Sequence, residues 1–141
     1  MQENKIAVVT GGASGLGAAT ASLLVEKGLK VVVVDQNSEK ASQHAHAIGA
    51  LAYSFDVTDA NAAATFFDDL EKEIGLPNIL INCAGIASGA RFGNVRMSDV
   101  ENDFQVNFFG PMKFTQFITR RMMQKKQGSV VNIVSLSGEI A

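Results

Sequence analysis

Several things are scarce in this sequence, and each scarcity removes a class of function. Cys83 is the only cysteine among 141 residues, so no internal disulfide can form, and a reducing, cytoplasmic setting is the default reading. The two histidines, His44 and His46, stand two apart with no other His or Cys pair nearby. They read as a solvated helix face and not as a metal site. Charge of either sign is sparse: 12 Lys and Arg against 14 Asp and Glu give a net charge of −2. No basic block, and no Lys/Arg stripe interleaved with aromatics, supports nucleic-acid binding. Lys125-Lys126, with Arg120-Arg121 just upstream, reads as the positive last turn of a helix. No apolar run reaches the roughly 20 residues that a membrane span requires. The opening stretch "MQENKIAVV" enters a strand pattern directly, without a signal-peptide layout.

What is present suffices for a core: 47% of the residues are apolar and 18% are charged. The length fits one domain, residues 1–141, with no linker, repeat or low-complexity tract. Strand and helix patterns alternate along it. "IAVVT" (6–10) and "KVVVVD" (30–35) are continuous apolar runs of the kind found in strands covered on both faces. "LAYSFDV" (51–57), "PNILINCAG" (77–85) and "SVVNIV" (129–134) supply three more strands, and Val130–Val134 is expected to be buried.

Between them, "LGAATASLLVEKG" reads as a helix with Leu16, Ala19, Leu23 and Leu24 on its packed face and Gly28 as its stop. "SEKASQHAHAIG" is a short polar helix ending at Gly49. "TDANAAATFFDDLEKEIG" is a helix capped by Thr58 or Asp59 and stopped by Gly75. After a glycine-containing loop, Ser98 and Glu101 have the spacing of a capping box, and the helix behind them runs to about Gln127. Such alternation predicts an α/β fold: a doubly wound, Rossmann-like parallel sheet with strand order 3-2-1-4-5.

The stretch "TGGASGLG" (10–17) falls between the first strand and the first helix, the context in which a glycine cluster signals a nucleotide. Gly11 permits a sharp turn, Gly15 removes a Cβ where a pyrophosphate approaches, and Gly17 permits close packing of the helix. Ser14 and Leu16 flank Gly15 at a helix N-terminus whose free N–H groups and dipole favour phosphate. The spacing is neither G-x-G-x-x-G nor a P-loop, and a purely structural turn is the alternative. Asp35 ends the second strand 18 residues after Gly17, where an acid bonds a ribose 2′-OH and repels a 2′-phosphate. Gln36, Asn37 and Ser38 follow with no cation, which favours NAD over NADP, although Asp35 could instead cap the next helix. Asp56 is placed either to bond the adenine amino group or to cap a loop, with Val57 packing on the ring in either case.

These pieces, with "NCAG" (82–85), Asn107 inside a long helix and "VVNIVS" ending in Ser135, stand in the order and spacing of one family. The chain resembles a short-chain dehydrogenase/reductase along its whole length. Its "NCAG" differs from the family's usual Asn-Asn-Ala-Gly by Cys83. The resemblance implies hydride transfer between a nicotinamide cofactor, which Asp35 makes NAD, and a small-molecule alcohol or ketone. It implies cofactor contacts from Gly11, Ser14, Gly15, Leu16, Gly17, Asp35, Asp56, Val57, Asn82, Ala84 and Gly85. The family's catalytic set is Asn, Ser, Tyr and Lys, of which Asn107 and Ser135 match the first two. The serine holds the substrate oxygen; the tyrosine is the general acid/base; the lysine lowers its pKa and holds the ribose.

Pro111 lies four residues after Asn107 and takes away the N–H that would bond the Asn107 carbonyl. Either the helix kinks there while remaining continuous, the preferred reading, or Gly110-Pro111 breaks it in two. In the family, the freed carbonyl holds a water in a proton relay. The Tyr-x-x-x-Lys motif would begin about a dozen residues after Ser135, beyond Ala141. Tyr53, the one tyrosine, is on the wrong edge of the sheet to replace it.

The chain is therefore expected to be the cofactor-binding portion of a longer enzyme, catalytically incomplete by itself. The alternatives are a non-catalytic NAD-binding module and an inactive truncation fragment. The helix at 98–127 carries Phe104, Phe108, Phe109, Phe114 and Phe117 with Met112, Met122 and Met123. Apolar residues on so much of its circumference call for cover on both sides, and imply a homo-oligomer, dimer or tetramer, built through it.

Overall fold

The computed structural model describes residues 5–135, so the loop expected after Ser135 lies outside the described residues. Five parallel strands form one sheet: β1 (Ile6–Thr10), β2 (Lys30–Asp35), β3 (Leu51–Ser54), β4 (Ile79–Asn82) and β5 (Ser129–Asn132). The order is β3-β2-β1-β4-β5, as the alternation predicts, with Val8 opposite both Val32 and Leu80. The order reverses at β1, so the crevice at the carboxyl ends of β1 and β4 is the topological switch point.

Successive side chains of a strand point to opposite faces, and both faces are covered, which is why β1 and β2 are apolar throughout. On one face Ile6, Val8, Val32, Val34 and Leu80 pack beneath α3 (Ala60–Glu73) and α5 (Gly110–Gln124), through Phe66, Phe67, Leu70, Phe114, Ile118 and Met122. On the other, Val9, Val31, Val33 and Ile81 meet small residues: Ala21 of α1 (Gly15–Glu26) and Ala41 and Ala45 of α2 (Ser38–Ile48).

That second face corrects the expectation for α1. Leu16, Ala19 and Leu23 are exposed, and only Leu24 of the four anticipated residues packs inward. The small Ala21 makes the contact with the sheet, and the larger Leu16 and Leu23 stand outward. His44 also differs from expectation. It is half-buried, with Nε2 3.1 Å from the Ala18 carbonyl oxygen, and it links α2 to α1.

The last three strands are shorter than the sequence suggests. After Ser54 the chain leaves the ladder, and Phe55 turns to pack on Phe66 and Phe114. β4 stops at Asn82 because the next two N–H groups, of Cys83 and Ala84, bond the Thr10 hydroxyl. β5 is an edge strand. Only Val130 is half-buried, while Val131, Ile133 and Val134 are exposed, contrary to the expected burial.

Asp59 caps α3 by accepting from the N–H groups of Asn61 and Ala62. The capping box expected at Ser98 and Glu101 does not form. Helix α4 (Met97–Phe104) starts one residue earlier, and Arg96 pairs with both carboxylate oxygens of Asp99 at 2.9 and 3.0 Å. The long helical path is continuous, as preferred, but it is widened and not simply bent. A π turn (Gln105–Phe109) joins α4 to α5, and the Gly110 N–H reaches back to the Gln105 carbonyl. The extra residue per turn accommodates Pro111, which sits at the start of α5 without an N–H. α5 ends at Gln124, three residues before the expected Gln127.

Candidate active site

A cavity of about 390 Å³ opens at the switch point. All the expected cofactor residues except Asn82 line it: Gly11, Ser14, Gly15, Leu16, Gly17, Asp35, Asp56, Val57, Ala84 and Gly85. Gln36, Phe55, Cys83, Ile86, Val106 and Ile133 complete the wall, and the sequence reading had not assigned them to it. Each of these is within two residues of an assigned one, so adjacency to the motifs is the signal that could have found them.

The glycine turn is built by three different constraints. Gly11 has φ +62°, and a Cβ on it would lie 2.8 Å from the Ala84 backbone, so the turn and the loop after β4 cross in contact. Gly17 makes room for the turn itself: its Cβ would lie 2.1 Å from the Gly11 carbonyl oxygen. This is closer than the helix-to-sheet packing expected of it. Gly15 has no neighbour within 4 Å and opens on the cavity. The Thr10 hydroxyl, buried beneath, accepts from Cys83 N at 3.1 Å and Ala84 N at 3.2 Å. It thereby fastens the β4 loop against the glycine turn.

Asp35 is half-buried. One carboxylate oxygen accepts from Ala13 N at 3.2 Å and the other from Asn37 N at 3.0 Å. The acid therefore braces the glycine turn and does not cap α2, a task that falls to Asn37, which accepts from Lys40 N at 3.0 Å. Among the described residues, no lysine or arginine lines the cavity. Asp56 caps its loop by accepting from Thr58 N at 2.8 Å, while Val57 is buried against the backbone beside Gly110. Burial pushes the Cys83 thiol up.

Asn82 lies below the cavity, 4% exposed. Its amide donates to the Thr115 hydroxyl at 2.9 Å and to Asn132 Oδ1 at 2.8 Å, tying β4 to α5 and β5. Its own Oδ1 has no donor among the described residues. Asn107, in the π turn, closes a two-way clasp on Ile86. It accepts from Ile86 N at 2.8 Å and donates to Ile86 O at 2.7 Å. A second cavity, about 540 Å³, runs from Asn107 along α5 to Asn132, Ile133 and Val134. Asn107 lines this second space, and Ser135, next in the chain after Val134, is exposed.

Tyr53 is elsewhere. Its hydroxyl donates to Glu73 at 2.6 Å beside the edge strand β3. That bond, helped by burial and by the charges of Glu73 and Asp69, pushes the phenol up to about 12. Among the described residues, no group of three His, Cys, Asp or Glu could hold a metal ion, and no helix is long and apolar enough to cross a membrane.

A cavity with an open glycine at a helix N-terminus and an acid at the next strand end fits a dinucleotide. The family profile described as "short chain dehydrogenase" matches residues 5–141. A human 3-oxoacyl-[acyl-carrier-protein] reductase is 34% identical over 137 residues, covering 96% of this chain and 58% of that protein. A D-threitol dehydrogenase of Mycolicibacterium smegmatis is 33% identical over 144 residues, covering 99% of this chain and 55% of that protein. The crystal structure of a short-chain dehydrogenase from Streptomyces avermitilis superposes with a TM-score of 0.91 at 30% identity, over 99% of this chain and 52% of that one. The chain thus spans little more than half the length of these relatives. By its fold, its cavity and its sequence, this chain belongs to the short-chain dehydrogenase family of oxidoreductases.

Proposed function

We propose that the chain is the cofactor-binding portion of an NAD-dependent oxidoreductase acting on a small-molecule alcohol or ketone. Asp35 carries this reading. Its carboxylate is fixed by Ala13 N and Asn37 N at the rim of a cavity that, among the described residues, no lysine or arginine lines. An acid so held accepts from a ribose 2′-OH and repels a 2′-phosphate. Bound NAD would supply the hydride acceptor. The residues of this chain then bind and orient: Gly15 leaves space for the pyrophosphate, the α1 N-terminus offers N–H groups, and Val57 packs on the adenine. Asn107 and Ser135 are the catalytic candidates, with Ser135 to hold the substrate oxygen.

Two relatives, one named for reducing a 3-oxoacyl group and one for dehydrogenating threitol, support a carbonyl/alcohol pair as the substrate class. The exposed stripe of Phe104, Phe108 and Met112 supports a homo-oligomer built through α4 and α5. Tyr53 is held by Glu73 at the far edge of the sheet and does not line the cavity. This same observation favours the second reading, a non-catalytic NAD-binding module.

Intact mass and turnover separate the two readings. A protein heavier than 14.9 kDa that raises absorbance at 340 nm with NAD and an alcohol supports the oxidoreductase. A 14.9 kDa protein that binds NADH without turnover supports the module. One that does neither contradicts both.

A further inference from the structure

We propose that Asp103 is a positioning residue for the dinucleotide cavity, acting through Ser88; this rests on the dinucleotide reading above. The loop after β4 forms one wall of that cavity through Gly85 and Ile86. Among the described residues, no backbone partner holds residues 85–90. Two side chains hold them instead, both from the helical segment that faces the loop. Asn107 clasps the N–H and carbonyl of Ile86. Asp103, four residues earlier, takes both donors of Ser88 on a single oxygen: the N–H at 3.1 Å and the hydroxyl at 2.5 Å.

Ile86 and Ser88 stand two residues apart, and each is held by a side chain of the same helical segment. The two side chains thus substitute for the neighbouring strand that this segment lacks. One clasp fixes a point and leaves the loop free to swing about it; two fix a line. The wall then stands in place before the cofactor arrives, and ordering it costs nothing at binding. Asp103 and Ser88 are both half-buried, where a carboxylate accepting two hydrogen bonds is stronger than a neutral pair.

The test compares Asp103→Leu, which accepts nothing, with Asp103→Asn, whose amide oxygen still accepts from Ser88. NADH affinity is read by fluorescence titration, and amide exchange at Ile86 and Ser88 by mass spectrometry or NMR. Asp103→Leu should weaken NADH about tenfold and accelerate exchange at both amides, while Asp103→Asn restores most of both. Unchanged NADH affinity in Asp103→Leu overturns the proposal. So does equal weakening in both variants, or weakening without faster exchange. If Asp103→Leu does not fold, Ser88→Ala carries the test. It should weaken NADH about threefold, and unchanged affinity overturns the proposal. Failure of the unsubstituted protein to bind NADH would instead sink the dinucleotide reading, and the exchange data would still report on the clasp.

Discussion

Gly15 and Gly17 stand two residues apart in one motif, and the structure predicts opposite consequences for adding a methyl to each. In Gly17→Ala the new Cβ would lie 2.1 Å from the Gly11 carbonyl oxygen, 2.8 Å from its carbon and 3.2 Å from the Gly12 Cα. All three are backbone atoms, so no rotamer change relieves the clash and the glycine turn must move. Overpacking of this kind costs about 1–3 kcal/mol, against a helix-propensity gain of about 0.5–1 kcal/mol. A net loss of about 1–2 kcal/mol lowers Tm by about 3–10 °C in a domain of this size.

In Gly15→Ala the Cβ meets nothing within 4 Å, and the cost is the left-handed strain at φ +53°, about 1 kcal/mol. The methyl would nevertheless stand where a pyrophosphate oxygen approaches, so NADH affinity should fall at least about tenfold. Thermal melts paired with NADH titrations separate the two effects. Gly17→Ala should lose stability and binding together; Gly15→Ala should lose binding with a fall in Tm of no more than about 3–5 °C. A Gly17→Ala protein as stable as its parent refutes the packing argument. A Gly15→Ala protein with undiminished NADH affinity refutes the placement of the phosphates.

Phe67 is fully buried and packs on Phe66 and Phe114, so Phe67→Ala should cost about 3–5 kcal/mol in urea unfolding; a cost below about 1 kcal/mol would contradict the described core. Tyr53, the only tyrosine, should ionise at about 12 by ultraviolet absorbance, and Glu73→Gln should move the midpoint back toward 10. Because the folded value is raised, the pair's contribution is complete below pH 10 and is lost as pH rises through about 12. An unchanged midpoint in Glu73→Gln would exclude the hydrogen bond as the cause. Arg121 bridges α5 to Asp68 and Glu71 of α3, and Arg121→Met should cost about 0.5–1 kcal/mol in low salt and less in 1 M salt. A loss that does not depend on salt would assign the effect to packing of the arginine stem.

The legible parts of the fold are those where one segment decides its own state. β1 and β2 are apolar at every interior position because both faces are covered, and the glycine turn announces itself by composition. In α1 a periodicity of large residues suggests the packed face, whereas the small Ala21 makes the contact and Leu16 and Leu23 stand outward. Ser98 and Glu101 have capping-box spacing, but Arg96 and Asp99 pair across the same turn and the helix begins before Ser98.

In the site, Asp35 and the glycines could be named from the sequence because their roles depend on the end of one strand and the start of one helix. The Thr10 hydroxyl bonds residues 73 and 74 positions away, and Asp103 reaches Ser88 across a loop. Such pairings become visible only when the strands are laid side by side. The π turn was foreshadowed by Pro111, whose missing N–H requires some departure from the α-helix, but which departure depends on the packing of Gly110 against Val57.

The most direct test of the dinucleotide site is a pair of fluorescence titrations of the chain, one with NADH and one with NADPH. Saturable NADH binding, at least about tenfold tighter than NADPH, is the predicted result, because the Asp35 carboxylate repels a 2′-phosphate. Tighter NADPH binding would contradict the role given to Asp35, and no saturable binding of either would contradict the cavity as a dinucleotide site.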